Sequence, residues 1–372
     1  MKLVKVNSEN ITDVNKFINF PFTIYQDHPY WVPALKHDML RIFDKKKHPF
    51  YDHSNADFFI VESENEVLGR IAVLQNKNFN NHHHSNTAFF YYFDSIDDNQ
   101  VINMLFESTA DWAHRENLSS LTGPKGFMRS NGVGLLADGF DYMPAMGITY
   151  NYPYYVSQLE RFGFNKETDF LSGYMDYSHH VPEKIHEAAE KVKKRSNFWI
   201  KEFANSADIH KWIHLVEEVH TKAFASNPNF IPSTSKEFRL IAETMVQISK
   251  PGLIKLIMKE NQVAGFIIAY PNINRAIQQI KGQLLPLGWL KILLEKNKTT
   301  LCDLNGLGLL PEYQGAGANL LLYNELEKTL RQNQFDRVEL VQVDERNYKS
   351  KSDMENMGVN WYKKHRVFQI DI

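Results

Sequence analysis

The feature that most constrains this chain of 372 residues is that its second half repeats its first half. Five short patterns return in the same order, displaced by 195 to 199 positions. The pairs are Asp13–Ile18 with Asp208–Ile213, Pro29–Pro33 with Pro228–Pro232, Asn65–Gly69 with Asn261–Gly265, Asn151–Tyr152 with Asn347–Tyr348, and Gly163–Phe164 with Gly358–Val359. One such match arises by chance, but five in order at nearly constant spacing indicate a tandem duplication of a unit of roughly 180–195 residues.

The boundary between the copies is predicted in Ser178–Pro182, which gives copy 1 residues 1–180 and copy 2 residues 181–372. Pro182 disfavours a helical residue before it, and the charged stretch Glu183–Arg195 that follows favours a helix. We interpret that helix as the connector into copy 2.

Each copy is predicted to contain a short strand, a helix, a β-hairpin and then alternating strands and helices. The hairpins pair Phe58–Val61 with Arg70–Leu74, and Leu256–Met258 with Phe266–Tyr270. Strand–helix–strand order implies a parallel pair with a crossover. The predicted fold is therefore α/β (α+β), with each copy a mixed, mostly antiparallel twisted sheet flanked by helices.

Bulk composition excludes several classes of protein. The formal net charge of -2 gives no field that would attract nucleic acid or an anionic membrane, and no apolar run is long enough for a span. A single cysteine, Cys302, fits a reducing compartment, so we expect a cytoplasmic protein. His82–His84 are predicted to lie in a polar loop, and no metal site is expected.

The most informative segment is Leu304–Asn319. An apolar strand runs to Pro311, the small residues of Gly315–Ala318 follow, and a helix then carries leucines four positions apart. Free amides at a helix N-terminus bind anions, and small residues let a diphosphate approach them. A turn that merely permits tight packing is the alternative. A dinucleotide-binding turn fits less well, because the pattern comes late in its unit.

This segment resembles the coenzyme A loop of the GNAT superfamily of N-acetyltransferases. Gln314 and Gly315 match the family pattern, as does the Pro-Glu-Tyr-Gln-Gly lead-in, whereas Asn319 stands where glycine or alanine is usual. The resemblance extends through Arg337–Val343, Asn347 and Gly358. It implies acetyl-CoA as cosubstrate, without a metal. The implied coenzyme-binding residues are Leu309, Leu310, Gln314, Gly315, Ala316, Gly317, Ala318, Asn319 and Asn347.

The resemblance also implies a tyrosine that protonates the leaving thiolate, but Met354 occupies that position. Tyr348 is the nearest substitute, with a packing role as the alternative. Asp303 and Glu312 are the candidate bases, acting through water, although either could simply face solvent. Cys302 is expected to be a buried core thiol.

Copy 1 has no counterpart of the glycines in Gly315–Ala318. Its equivalent turn, Asp94–Asn99, is predicted to place three carboxylates at the phosphate position, where they would repel a diphosphate. Copy 1 also has a long loop over Gly123–Gly134, for which a functional and a structural role remain open. The basic and aromatic segment Trp361–Phe368 is predicted to be an edge strand.

Together these features predict an N-acetyltransferase that acts on a small-molecule or peptide amine in the inter-domain cleft. Nucleic acid and membrane are not expected as partners, and a homodimer remains open. A non-catalytic coenzyme A-binding scaffold is one alternative, since Met354 and Asn319 depart from the family pattern. An aminoacyl-tRNA-dependent transferase of similar fold is another, although the pI of about 6.7 counts against it.

Overall fold

The computed structural model describes residues 1–176 and 182–372. The predicted boundary between residues 180 and 181 lies outside the described residues. The strands before it are β1 Lys2–Lys5, β2 Asn55–Ser63, β3 Glu66–Gln75, β4 Thr87–Ser95, β5 Ser120–Gly123, β6 Leu135–Asp138 and β7 Asn165–Asp176. The helices there are α1 Ile11–Ile24, α2 Lys36–Phe43, α3 Lys77–His83, α4 Asn99–Arg115 and α5 Tyr154–Phe162.

The second half has the same order of elements with additions. Its strands are β8 Phe198–Lys201, β9 Ile254–Lys259, β10 Gln262–Pro271, β11 Leu301–Leu309, β12 Arg337–Asp344 and β13 Asn360–Asp371. Its helices are α6 Glu183–Arg195, α7 Ser206–His210, α8 Ile213–Phe224, α9 Ser235–Ile248, α10 Asn274–Gln279, α11 Gly288–Lys298, α12 Ala318–Gln332 and α13 Tyr348–Asn356. Among the described residues, no helix is both long and apolar enough to cross a bilayer.

Both predicted hairpins are confirmed. Strands β2 and β3 pair antiparallel, as do β9 and β10. Glu64, Asn65 and Glu260 take positive φ values at the tight turns. The predicted crossovers are also present, since β4 runs parallel to β5 and β11 parallel to β12. The mixed α/β fold with helices on both faces is therefore as predicted.

The copies exchange their last strands. In the strand order of the sheet, β13 lies between β5 and β7, and β7 pairs with β12. Copy 1 therefore receives a strand from the end of the chain, and one sheet runs through both copies. The prediction of an edge strand at Trp361–Phe368 is wrong, because β13 has neighbours on both sides. Lys363 and His365 are buried there, and Lys363 Nζ pairs with Glu339 at 2.6 Å.

Alternating side chains divide each half of the sheet between two helical layers. On β3, Ile71 and Val73 pack in one apolar cluster with helix α4, whereas Ala72 and Leu74 join the cluster of α1 and α2. On β10, Ile267 packs toward α12, and Phe266 packs toward α8 and α9. The α8–α9 side of copy 2 is the side that carries the cavity described below.

The histidine run was predicted as a loop, and that prediction is wrong. His82 and His83 end helix α3, whose N-cap Asn76 accepts a hydrogen bond from the amide of Phe79. The ring of His82 lies 2.9 Å from the carbonyl oxygen of Ala225, and that of His83 lies 2.8 Å from the carbonyl oxygen of Phe230. The run therefore joins the two copies. No group of three metal-ligating side chains occurs in the described parts of the chain.

Candidate active site

The parallel strands β11 and β12 separate part-way along their length. They pair only over Leu301–Leu304 and Arg337–Leu340. Beyond that point β11 shifts register against β10 near Asn305, and β12 shifts against β7 at Gln342, whose φ is 51°. The side-chain amide of Gln342 bonds the backbone of Val133 in both directions, at 3.0 and 2.7 Å. The sheet is therefore split between β11 and β12, and the β12 side of the split is bonded to the long loop over Gly123–Gly134 of copy 1.

A cavity of about 800 Å³ opens beside this split. Its walls come from helices α7 to α9, from strands β9 to β12 and from the segment after β12, and copy 1 contributes Arg129, Ser130 and Phe170. Most wall residues are apolar, among them Trp212, Val216, Phe224, Phe238, Met245 and Phe266. Polar wall residues concentrate in Asp344–Ser350. A largely apolar cleft with a few grouped polar side chains is the usual form of a small-molecule site.

Arg129 and His220 form a polar contact within the apolar wall, in which an Nη of Arg129 donates to Nε2 of His220. Burial and the neighbouring guanidinium hold the pKa of His220 well below its usual value, so the ring is neutral and can accept this bond. Burial lowers the pKa of Arg129 to about 10, which leaves the guanidinium charged at neutral pH. Its Nε is buried without a hydrogen-bond partner among the described residues.

The sequence did not single out Arg129 or His220. The available signal was the length of the loop over Gly123–Gly134, which carries Arg129 into the cavity of copy 2. An arginine with a spare donor in an apolar wall can bind a polar or anionic group on a ligand that otherwise makes apolar contacts.

The glycine loop leads into helix α12 as predicted. Gly315 and Gly317 have φ values of 78° and 80°, a region that favours glycine. A Cβ added at Gly315 would meet nothing within 4 Å. Gly317 is the N-cap of α12 and supplies no side-chain cap. Among the described residues, the amides of Gly315, Gly317, Ala318 and Asn319 have no backbone or side-chain acceptor. Free amides at the N-terminus of a helix fit a diphosphate.

The other predicted coenzyme-binding residues surround this loop and the split. Leu309 and Leu310 are buried at the end of β11, and Gln314 Nε2 donates to the carbonyl oxygen of Leu309 at 3.2 Å. Asn319 Nδ2 donates to the carboxylate of Asp353 at 2.8 Å, so this side chain is held toward α13. Asn347 is the N-cap of α13 and lines the cavity.

The structure separates the three candidate catalytic residues. Tyr348 lines the cavity and is 76% exposed. Glu312 is exposed in the turn after β11. Met354 is buried in the core and also touches the cavity. Of the candidate acid Tyr348 and the candidate bases Asp303 and Glu312, only Tyr348 contributes to the cavity wall.

Asp303 is buried, so the suggestion that it could face solvent is wrong. Its carboxylate accepts hydrogen bonds from the amide of Met146 at 2.8 Å and from Asn272 Nδ2 at 3.0 Å. Burial, reinforced by the charge of Glu339, raises the pKa of Asp303 to about 7. The residue does not line the cavity, and it joins β11 to a loop of copy 1.

The prediction that three carboxylates of copy 1 occupy the phosphate position is wrong for Asp94. Asp94 lies within β4 and accepts bonds from Arg70 Nε at 2.7 Å and from the hydroxyl of Tyr25 at 3.0 Å. Asp98 caps α4 as expected, since it accepts a bond from the amide of Gln100 at 2.7 Å. Copy 1 therefore begins its helix with a carboxylate, where copy 2 leaves amides free.

Comparison with known proteins agrees with this geometry. Residues 217–359 match the acetyltransferase (GNAT) family. A tandem GNAT protein from the clavulanic acid biosynthesis pathway superposes with a TM-score of 0.59 at 11% identity, over 100% of this chain and 98% of that one. Copy 2 therefore contains a GNAT acetyltransferase domain, and the whole chain has the fold of a tandem GNAT protein. A GCN5-related N-acetyltransferase from Sphaerobacter thermophilus has the same fold, with a TM-score of 0.52 at 11% identity over 100% and 95% of the chains.

Two relatives resemble this chain over nearly its whole length. Protein YghO of Escherichia coli (strain K12) is 26% identical over 98% of this chain and 94% of its own length. A bacterial ceramide synthase of Caulobacter vibrioides (strain NA1000 / CB15N) is 25% identical over 96% of this chain and 94% of its own. The family supports acyl transfer, and these names do not single out acetyl transfer.

Proposed function

We propose that this protein transfers an acyl group from a coenzyme A thioester to an amine, and that the cavity holds the hydrocarbon chain of a lipid substrate. The observation that carries the proposal is the apolar cavity of about 800 Å³ at the β11–β12 split. An acetyl group would leave nearly all of this volume unfilled. The expectation of acetyl transfer to a small-molecule or peptide amine is therefore replaced by transfer in which the acyl group or the amine carries a long chain.

The glycine loop supplies the coenzyme site in this proposal. The free amides of Gly315, Gly317, Ala318 and Asn319 would bind the diphosphate. The pantetheine arm would follow the end of β11 at Leu309 and Leu310 into the split. The thioester would then lie between the cavity and the polar segment that begins at Asp344.

The reaction needs few groups from the protein. The amine nitrogen attacks the thioester carbonyl carbon, the C–N bond forms, and the C–S bond breaks. The amine loses one proton, and the leaving thiolate takes one up. We propose the hydroxyl of Tyr348 as the donor to the thiolate, because it lies in the cavity wall beside Asn347. Asp303 and Glu312 lie outside that wall, which favours water as the acceptor of the amine proton.

The relative named as a ceramide synthase supports a lipid substrate. A ceramide is an amide between a fatty acid and a long-chain amino alcohol, so its formation joins two hydrocarbon chains through one nitrogen. The cavity fits the hydrocarbon part of either partner. Arg129, with its spare donor in the wall, is placed to bind a hydroxyl or carbonyl group of that substrate.

A thiol-release assay with two substrate series tests the proposal. One series lengthens the acyl group from acetyl to palmitoyl with a fixed short amine, and the other lengthens the amine with acetyl-CoA. Each methylene that enters the cavity should improve kcat/KM by up to about fourfold, from about 0.8 kcal/mol of burial. The series that shows the rise identifies the chain in the cavity. Equal rates at every length in both series would contradict the proposal, and coenzyme binding without thiol release would favour the scaffold alternative.

A cavity-filling variant sharpens the test. Ala242 of α9 lines the cavity, so Ala242→Phe should shorten the preferred chain by several methylenes and leave short substrates unaffected. Glu243→Phe adds the same ring at the next, exposed position of that helix and should leave the chain-length profile unchanged. If both variants shift the profile alike, the cavity does not hold the chain.

A further inference from the structure

The segment of residues 281–298, which we call the 281–298 surface, exposes a group of large apolar side chains. Its six exposed members are between 40% and 78% accessible. They are Leu285, Leu287, Trp289, Leu290, Leu293 and Leu294. They account for six of the thirteen exposed large hydrophobic residues of the described chain, within a stretch of ten positions. Clustering of this kind on a protein surface marks an interaction site.

The 281–298 surface belongs to an insertion that only copy 2 carries. The connection from β10 to β11 spans residues 272–300, whereas the corresponding connection from β3 to β4 spans residues 76–86. Within the insertion, helix α11 packs on α10. Two hydrogen bonds attach the insertion to the rest of the protein, one before α11 and one near its end. The carbonyl oxygen of Gly282 accepts a bond from the amide of Lys36 at 2.9 Å, and Lys296 Nζ donates to the carbonyl oxygen of Gln247 at 2.8 Å.

The insertion is therefore an ordered element whose apolar side chains point away from the protein. Its attachment also places it near the cavity, because Gln247 follows Met245 and Val246 of α9, which line that cavity. Copy 1 forms its part of the sheet without such a helix, so the insertion is not needed to form the sheet.

The charges of the 281–298 surface decide between possible occupants. The segment has four lysines and a single acidic residue, Glu295, in a chain whose formal net charge is -2. Lys281, Lys291 and Lys298 are exposed beside the leucines. A second copy docked face to face would bring these like charges together, since a two-fold interface pairs a patch with itself. An anionic surface would instead attract all of them.

We propose that the 281–298 surface binds the interface of an anionic lipid bilayer and holds the protein peripherally on the membrane. Leucines on a helix enter the acyl boundary, tryptophan favours the headgroup region, and lysines attract anionic headgroups. This replaces the expectation that a membrane is not a partner. The proposal stands independently of the acyl-transfer chemistry, although it would bring the cavity close to a store of long-chain substrates.

Vesicle flotation of the full chain tests the proposal. Vesicles with about 30% phosphatidylglycerol should carry the protein at low salt, and pure phosphatidylcholine vesicles should carry at least tenfold less. Raising the salt to about 0.5 M should weaken binding, because screening removes the lysine contribution. Lys291→Glu with Lys298→Glu should reduce partitioning by more than tenfold, from about fivefold per lost lysine.

Apolar substitutions provide the second arm. Trp289→Ser with Leu293→Ser should abolish flotation without lowering Tm, since both side chains are exposed. Trp199→Ser removes another exposed tryptophan, on the edge strand β8, and should float like the unaltered protein. Unchanged flotation of the double serine variant would overturn the proposal. So would a dimer in solution that the same two substitutions convert to a monomer, which would assign the surface to a second copy of the chain.

Discussion

In copy 1, strands β4 and β5 pair in parallel from Thr87 to Phe89 and then diverge, as β11 and β12 do in copy 2. On the α1–α2 side of copy 1, aromatic rings fill the space that corresponds to the cavity. Phe127 lies against Phe58 with ring centroids 5.9 Å apart, and against Phe50 at 5.0 Å. On the matching side of copy 2 the space is an open cavity. The same division of the sheet thus supports a packed core in one copy and an open cavity in the other.

The pairing of β3 with β4 and of β10 with β11 shows which residues occupy equivalent positions in the two copies. Gly69 pairs with Ser95 and Gly265 with Leu309, so the next pair outward, Arg70 with Asp94, corresponds to Phe266 with Gly308. Copy 1 has a buried ion pair at 2.7 Å where copy 2 has an aromatic ring over a glycine. The buried pair occupies the end of the strand that would carry a pantetheine arm. Copy 1 is therefore closed by polar groups as well as by rings.

The largest expected effect is a difference in the free energy of unfolding between a variant in the packed core of copy 1 and a variant in the cavity wall of copy 2. Phe127→Ala should lower the free energy of unfolding by about 3–5 kcal/mol, because a fully buried ring leaves a cavity behind. Phe224→Ala, in the wall of the existing cavity, should cost no more than about 1.5 kcal/mol, because that ring is only partly buried. Urea unfolding of both variants measures the difference. Equal losses would show that the cavity wall of copy 2 is packed as tightly as the core of copy 1.

Each copy has a buried aspartate on a strand, Asp94 in copy 1 and Asp303 in copy 2, and the two aspartates have different charged neighbours. Asp94 meets the guanidinium of Arg70, whereas Asp303 faces Glu339, with Lys363 beside both carboxylates. The pKa of Asp303 is about 7 in the folded protein, against about 3.9 for an unfolded aspartate. Between about pH 4 and pH 7 the folded state holds a proton that the unfolded state has lost, so stability falls as the pH rises. The full loss is roughly 4 kcal/mol.

Asp303→Asn should therefore flatten the dependence of the unfolding free energy on pH in that window by up to about 1.4 kcal/mol per pH unit. Urea unfolding at a series of pH values measures the slope. Asp141→Asn, at an exposed position, is the control and should keep the slope of the unaltered protein. A slope that persists in Asp303→Asn would assign the titration to another group.

Sequence reasoning succeeded where the information is local or is repeated along the chain. The offset near 195 residues predicted the duplication, and Asn65 and Asn261 located both hairpins, because tight turns need few residue types. Gly315 and Gly317 located the loop before α12 for the same reason. The hairpins and the loop depend on residues close together in the chain, and the duplication is visible when the sequence is compared with itself.

Most of the failures concern contacts over long distances in sequence. The segment Trp361–Phe368 looks like an exposed strand because its basic residues suggest solvent, yet its neighbours β5 and β7 come from the other copy. The cavity was missed because α8, α9 and Arg129 meet only in the folded chain. The charge of the whole chain likewise hid the basic 281–298 surface, since an average over 372 residues conceals a local excess.

The starts of helices α12 and α4 give a smaller effect on binding. Ala316 is exposed and has an ordinary backbone conformation, so Ala316→Glu adds a carboxylate beside the free amides without strain. Coenzyme A should bind at least tenfold more weakly, a change of about 1.4 kcal/mol, because like charges meet. Asn99→Glu adds the same group at the start of α4 in copy 1 and should leave the affinity unchanged. Calorimetry measures both, and equal weakening would place the coenzyme elsewhere.

The smallest expected effect concerns the capping of the first backbone amides of α4 and α12 when no ligand is bound. Asp98 caps α4 with its own carboxylate, whereas Gly317 leaves α12 uncapped. Asp98→Ala should therefore lower the free energy of unfolding by about 1 kcal/mol. Bound coenzyme stabilises only the folded state, so the rise in Tm with coenzyme A should be the same in this variant as in the unaltered protein. A smaller rise in Tm would show that the start of α4 is energetically coupled to the coenzyme site. The helix start of copy 1 would then take part in binding, contrary to the proposal.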